Sequence, residues 1–164
     1  MGEKKHPILK FVGTTAATAA AAYAGVSAYV FREVFDLQKS SLYSGRGGTA
    51  FLTFTDSEKT EWYHHSTIDD AWIDSFDGLR LHALSLNNHS DSHKWVVLAF
   101  GPGSYDRNLL DYLYELDHAG YNVLAVDSRG CGKSEGQFTT LGWSEHYDII
   151  SWVNYLVNHD SEAK

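Results

Sequence analysis

The sequence predicts an α/β fold, with an antiparallel hairpin followed by a parallel strand, helix, strand unit and a closing helix. Three observations carry this. The run Trp95 to Phe100, WVVLAF, is continuously apolar and ends at Gly101. The stretch Asn122 to Gly136, NVLAVDSRGCGKSEG, is apolar from Val123 to Val126, stops at Asp127 and breaks at Gly130 and Gly132, as a buried strand does when it leaves into a turn. Between the two runs Leu109, Leu113 and Leu116 recur at i, i+4 and i+7, the stripe of an amphipathic helix. Strands joined by such a crossover lie parallel.

The 164 residues, 43% hydrophobic and 14% aromatic, suffice for one core and not for two. A formal net charge of -8 argues against a nucleic-acid surface, which needs clustered Lys and Arg. A single cysteine, Cys131, excludes an internal disulfide and a cysteine-built zinc site. The expected organisation is a basic tail over 1–10, a membrane helix over 11–31, a linker over 32–67 and the α/β domain over 68–164.

Phe11 to Phe31 is 21 residues without a charged side chain, which as a helix spans about 31 Å. Lys4, Lys5 and Lys10 precede it and favour a cytoplasmic N-terminus, with the remainder outside the cell. Arg32, Lys39 and Arg46 follow and weaken that bias. The expectation is a single-pass anchor in contact with membrane lipid. A signal peptide cleaved near Val26-Ser27-Ala28 and a buried soluble helix are the alternatives.

Arg32 to Thr60 is rich in Ser and Gly (Ser40, Ser41, Ser44, Gly45, Gly47, Gly48), with a short strand expected at Ala50 to Phe54. Tyr63, His64 and His65 are adjacent and so point in different directions, with no third ligand at a useful spacing. They are read as surface residues and no metal is expected. Ala71 to Ser75 and Leu79 to Leu86 flank Asp77-Gly78, a dipeptide suited to a tight hairpin turn. In the second arm Leu79, Leu81 and Ala83 alternate with Arg80, His82 and Leu84. The unbroken run from Trp95 suits a strand covered on both faces. Ser104 or Asp106 can cap the next helix and Gly120 can close it. A last helix is expected over Trp143 to Val157, with Ile149, Ile150, Val153, Leu156 and Val157 on its apolar face.

Gly132-Lys133-Ser134 ends like a phosphate loop, but the first glycine of that motif would fall at Asp127, whose carboxylate repels phosphate. Gly132-Lys133-Ser134-Glu135-Gly136 matches the nucleophile pattern G-x-S-x-G, and Asp148 and His159 follow in order. The context differs, because Ser134 lies several residues beyond the strand and Gln137 to Leu141 separate it from the helix. Asp148 and His159 share one helix about 16 Å apart along its axis and cannot form a triad. Ser134 is expected to tie the turn together.

Asp127-x-Arg129-Gly130-x-Gly132-x-Ser134 after an apolar strand, with the Asp77-Gly78 hairpin before it and a helix opening near Gly142-Trp143 after it, resembles the N-terminal half of an α/β-hydrolase. More narrowly it resembles the membrane-anchored serine aminopeptidase-like or esterase-like branch, over Ile68 to Lys164. The resemblance implies an incomplete α/β-hydrolase fold in which Asp127, Arg129, Gly130, Gly132 and Ser134 form a structural corner. It places the nucleophile on the next strand and the acid and general-base His later, so that none is present here and no catalytic residue is assigned. What remains is the oxyanion turn after Phe100. Pro102 has no N–H to donate, and an alignment shifted by one residue makes Gly101 the donor. The tight exit of a strand is the plainer reading of Gly101.

The implied activity is serine hydrolysis of an ester or amide, absent from this chain alone, and no cofactor is implied. The alternative is a non-enzymatic, membrane-anchored interaction module on half a hydrolase scaffold. Either way the strand Trp95 to Phe100 is left with one unpaired edge, which invites a partner chain that supplies the missing strand.

Overall fold

The computed structural model describes residues 7–43, 57–101 and 109–164. Its elements run α1 (Pro7–Phe35), α2 (Ser57–His65), β1 (Ile68–Asp74), β2 (Arg80–Leu86), β3 (Trp95–Ala99), α3 (Leu109–His118), β4 (Asn122–Val126) and α4 (Glu145–His159). The described strands make one sheet in the order β1-β2-β4-β3. β1 and β2 are the expected antiparallel hairpin, with Asp74 opposite Arg80 and Gly78 at φ 84°, where glycine avoids the Cβ penalty of the left-handed region. β2 pairs antiparallel with β4, and β3 pairs parallel with β4, with Ala99 opposite Val126.

The sheet separates two apolar clusters. On one face Ala71, Leu81, Ala83, Leu124 and Val126 pack with Trp152 and Leu156 of α4. On the other, Leu86, Val123 and Ala125 pack with Leu109 and Leu113 of α3. β4 is fully buried, as a strand between two neighbours and two helices must be. β3 falls short of the expectation that it is covered on both faces. Its side chains do reach both clusters, but all are only half-buried or exposed, because among the described residues it has a strand on one side only.

α3 and its closing Gly120, at φ 81°, form as expected. Ser104, Asp106, Pro102 and the strand expected at Ala50 to Phe54 lie outside the described residues. α4 departs in its buried face. Asp148, Trp152 and Leu156 are buried, one turn apart, whereas Ile150, Val153 and Val157 are about half-exposed. Trp152, the largest fully buried side chain, sets the rotation of the helix, since burying an indole outweighs burying an isoleucine or a valine.

α2 is a helix inside the stretch expected to be a linker. None of its residues is buried, and it is held through side chains on α3. Trp62 Nε1 donates to Asp117 Oδ2 at 2.6 Å, the Trp62 ring meets Tyr114 edge-on, and Tyr114 Oη donates to Glu58 Oε1. His64 and His65 are exposed.

The uncharged N-terminal run does form a helix, and a longer one than expected. Among the described residues no helix is long and apolar enough to cross a membrane, so the expectation of a spanning segment over 11–31 is not met. Ala and Thr fill much of the run and carry little apolar surface to transfer into lipid. Residues 17–32 of α1 are all exposed.

Candidate functional site

Asp127, Arg129, Gly130, Gly132 and Ser134, with Gly101, lie at one edge of the sheet, beyond the C-terminal ends of β3 and β4. Because β2 runs against β4, the hairpin turn at Ser75 to Leu79 lies at this edge too. So do the segment Asp127–Thr140 and the start of α4.

Asp127 ends β4 and is buried. Its Oδ2 accepts from the backbone N–H of Lys133 at 2.8 Å and faces His82 Nδ1 at 2.7 Å. Gly132 is at φ 53°, and a Cβ there would stand 2.1 Å from Asp127 Oδ2, so only glycine lets the loop close over the carboxylate. Ser134 Oγ donates to the Asp127 carbonyl at 2.8 Å and accepts from the His82 N–H at 2.8 Å. Its hydroxyl is thus spent on backbone, in the tying role the sequence suggested. Glu135 continues the tie, its N–H donating to the Arg80 carbonyl and its Oε2 accepting from Arg80 N–H.

Arg129 is buried with its guanidinium between two carboxylates. Nε and Nη2 donate to both oxygens of Asp148 at 2.8 Å, and Nη1 donates to Asp77 Oδ2 at 2.8 Å. This bidentate fork joins the turn to α4 and to the β1–β2 hairpin. It holds the Asp77 carboxyl below its usual range. Asp148 is therefore committed to Arg129, while His159 lies at the far end of α4 with Nδ1 against the Tyr155 carbonyl. Ser134, Asp148 and His159 do not meet.

His82 is the residue whose role the sequence did not disclose. The period-two pattern of its strand placed it opposite Leu81 and Ala83, on the polar side, yet it is 1% exposed. Trp72 covers it edge-on at 4.8 Å, the turn lies over it, and Nε2 faces Asp70 Oδ1 at 2.8 Å. Lys133 Nζ reaches the same Asp70 at 2.8 Å. Both ring nitrogens lie within hydrogen-bond reach of carboxylate oxygens, an arrangement that favours the protonated ring. Burial pushes its pKa down, but the hydrogen bonds to Asp127 and Asp70 outweigh this and the net shift is upward.

Gly101 is exposed at the exit of β3, and the Phe100 carbonyl before it accepts from Ser128 Oγ at 2.7 Å. That bond fixes the end of β3 against the start of the turn. Pro102 lies outside the described residues. No group of three His, Cys, Asp or Glu among the described residues could hold a metal ion.

Residues 54–163 match the X-Pro dipeptidyl-peptidase (S15) family. The chain belongs to that family. No curated protein matches it. Among solved structures, the Pyrococcus furiosus esterase Pf2001 in one crystal form aligns with a TM-score of 0.53 at 27% identity, covering 71% of this chain and 44% of the esterase. A second form gives 0.53 at 29% identity over 67% of this chain and 41% of the esterase. A third gives 0.52 at 24% identity and shows the fold alone. This S15-family chain therefore spans less than half the length of those esterases, and the expectation of an α/β-hydrolase-like family is met.

Proposed function

We propose that this chain is the N-terminal half of a serine hydrolase that cleaves an ester or amide and that works at a membrane surface. The observation that carries the reading is the open side of β3. Among the described residues β3 pairs only with β4, and the exit of β3 at Gly101 is pinned by Ser128. An adjacent parallel strand, supplied by sequence beyond these residues or by a partner chain, would carry a nucleophile to the same edge, beside the backbone N–H of Gly101.

The described residues contribute the support. Ser134 Oγ is engaged by backbone on both sides and Asp148 is taken by Arg129, so neither serves as nucleophile or acid and the 164-residue chain alone is expected not to hydrolyse substrate. Gly101 is the oxyanion donor, in preference to Pro102, because a prolyl nitrogen has no hydrogen to give.

A fluorophosphonate probe tests this on two samples. The 164-residue chain is expected to remain unlabelled. The same chain co-expressed with the coding sequence immediately downstream is expected to be labelled at a serine following the next strand. Labelling of the 164-residue chain at Ser134 would overturn the reading. A downstream sequence with no such strand and serine would favour the non-enzymatic scaffold instead.

A further inference from the structure

The edge of the sheet away from Gly101 holds a cavity of about 490 Å³, within the size range of small-molecule sites. Its floor is the α4 face of the sheet. Asp69 and Ser85 stand opposite one another in the β1–β2 register. Strand alternation puts them on the face where Ala71 and Ala83 pack with α4. Tyr155 and His159 from the end of α4, Trp95 from the start of β3 and Ser90 from the loop between β2 and β3 also line it.

Two fully engaged side chains hold this lining in place. Asn122 is buried; its Oδ1 accepts from the His89 N–H at 3.1 Å, and its Nδ2 donates to the carbonyls of His89 at 3.0 Å and Ser92 at 2.8 Å. That fixes the loop carrying Ser90. Asp160 accepts from Trp95 Nε1 at 3.0 Å and faces His93 Nδ1 at 2.8 Å, and Asp70 turns to the other face, toward His82 and Lys133. By contrast the Asp69 carboxylate and the hydroxyls of Tyr155, Ser85 and Ser90 have no hydrogen-bond partner among the described residues. No Lys or Arg among the described residues lines the cavity. Burial and the nearby Asp69 carboxylate together push the Tyr155 phenol above its ordinary value, as expected of neighbours across one cavity.

We propose that this cavity is a binding site for a small organic ammonium ion. The carboxylate that its lining leaves unpartnered is Asp69, so an anion would meet a like charge with no Lys or Arg to oppose it. A wholly apolar ligand would strip water from the free hydroxyls and return no hydrogen bond. An ammonium group beside Asp69 gains a charge-assisted bond, and the free hydroxyls accept its remaining N–H groups. Tyr155 and Trp95 supply the aromatic rings that attract organic cations. The site lies at the opposite edge from Gly101 and does not rest on the hydrolase reading.

The test titrates the isotope-labelled 164-residue chain at neutral pH with benzylamine, benzyl alcohol and benzoate, which share a ring and differ in charge, and follows the backbone amides by NMR. Benzylamine is expected to shift the amides of Asp69, Ser85 and Ser90 saturably. The alcohol and the acid are expected to bind at least about tenfold more weakly, the loss of one charge-assisted bond. Asp69→Asn removes a charge that no described hydrogen bond uses, so it is expected to leave the urea midpoint unchanged while weakening benzylamine about tenfold. Asp91→Asn, an exposed carboxylate outside the cavity, is expected to change neither. Absence of a saturable shift at these amides, benzyl alcohol binding as tightly as benzylamine, or benzylamine binding indifferent to Asp69→Asn would each overturn the assignment. Equal weakening by Asp69→Asn and Asp91→Asn would trace the effect to net charge and overturn it too. None of these readouts needs turnover, so the hydrolase reading can fail while the ammonium site stands, and the reverse.

Discussion

Arg129→Ala is expected to destabilise the domain by about 3–5 kcal/mol, the cost of leaving a buried carboxylate without its partner. Arg129 is 5% exposed and Asp148 5% exposed, so water cannot replace the lost fork. The guanidinium also reaches Asp77 in the hairpin and lies 5.4 Å below the Phe76 ring. Its removal thus loosens three separate parts of the chain. Arg129→Lys keeps the charge but cannot serve Asp148 bidentately and Asp77 together, and is expected to recover only part of the loss. Urea unfolding followed by near-ultraviolet circular dichroism measures both variants. A midpoint for Arg129→Ala within error of the parent protein would contradict the account of the turn.

His82→Leu is expected to be comparably damaging, by about 3–5 kcal/mol, because Asp127 would remain buried without its cation. The parent protein should also show a pH dependence of definite sign. The folded pKa of His82 is raised above its ordinary value of 6.5. The imidazolium contribution is therefore fully present below about pH 6.5 and is lost as pH rises through the folded pKa. Asp70 and Asp127 hold the ring, and Lys133 approaches Asp70 from the turn. Lys133 opposes the charge on His82 only weakly, being the last of the influences on it. Thermal unfolding from pH 6 to 9 is expected to show falling stability in the parent and a flatter profile in His82→Gln. A parent protein that gains stability over that range would show that the ring is neutral.

Much of the fold was legible because its signals are local. The strands from Trp95 and Asn122, the leucine stripe of α3 and the Asp77-Gly78 turn each announce themselves within a few residues. α2 was missed because what holds it is remote, with Trp62 bonded to Asp117 across 55 residues of sequence. The glycines of the turn from Asp127 to Ser134, and its distance from both strand and helix, mark it as structural. Its partners were not readable, since Asp77 and Asp148 lie 52 and 19 residues from Arg129. His82 misled for a related reason. A period of two tells which face of a strand a residue takes, and cannot tell that a later loop will cover that face. The apolar face of α4 is met at Leu156, which is buried, and at Ile149, which packs on the core, but not at Ile150, Val153 and Val157, because burying Trp152 turns the helix.

The open side of β3 is the centre of the account, and amide exchange tests it directly. Strand alternation turns the N–H groups of Val96 and Leu98 toward β4, and those of Val97 and Ala99 away from it. Trp95 N–H, also turned away, is covered by the Lys164 carbonyl at 3.0 Å. In the monomeric 164-residue chain, Val96 and Leu98 are expected to exchange slowly and Val97 and Ala99 to exchange far faster, and the fast pair is expected to slow when the downstream polypeptide is supplied. If Val97 and Ala99 are as protected as Val96 and Leu98 in the monomer alone, that side of the sheet is already closed and the account is contradicted.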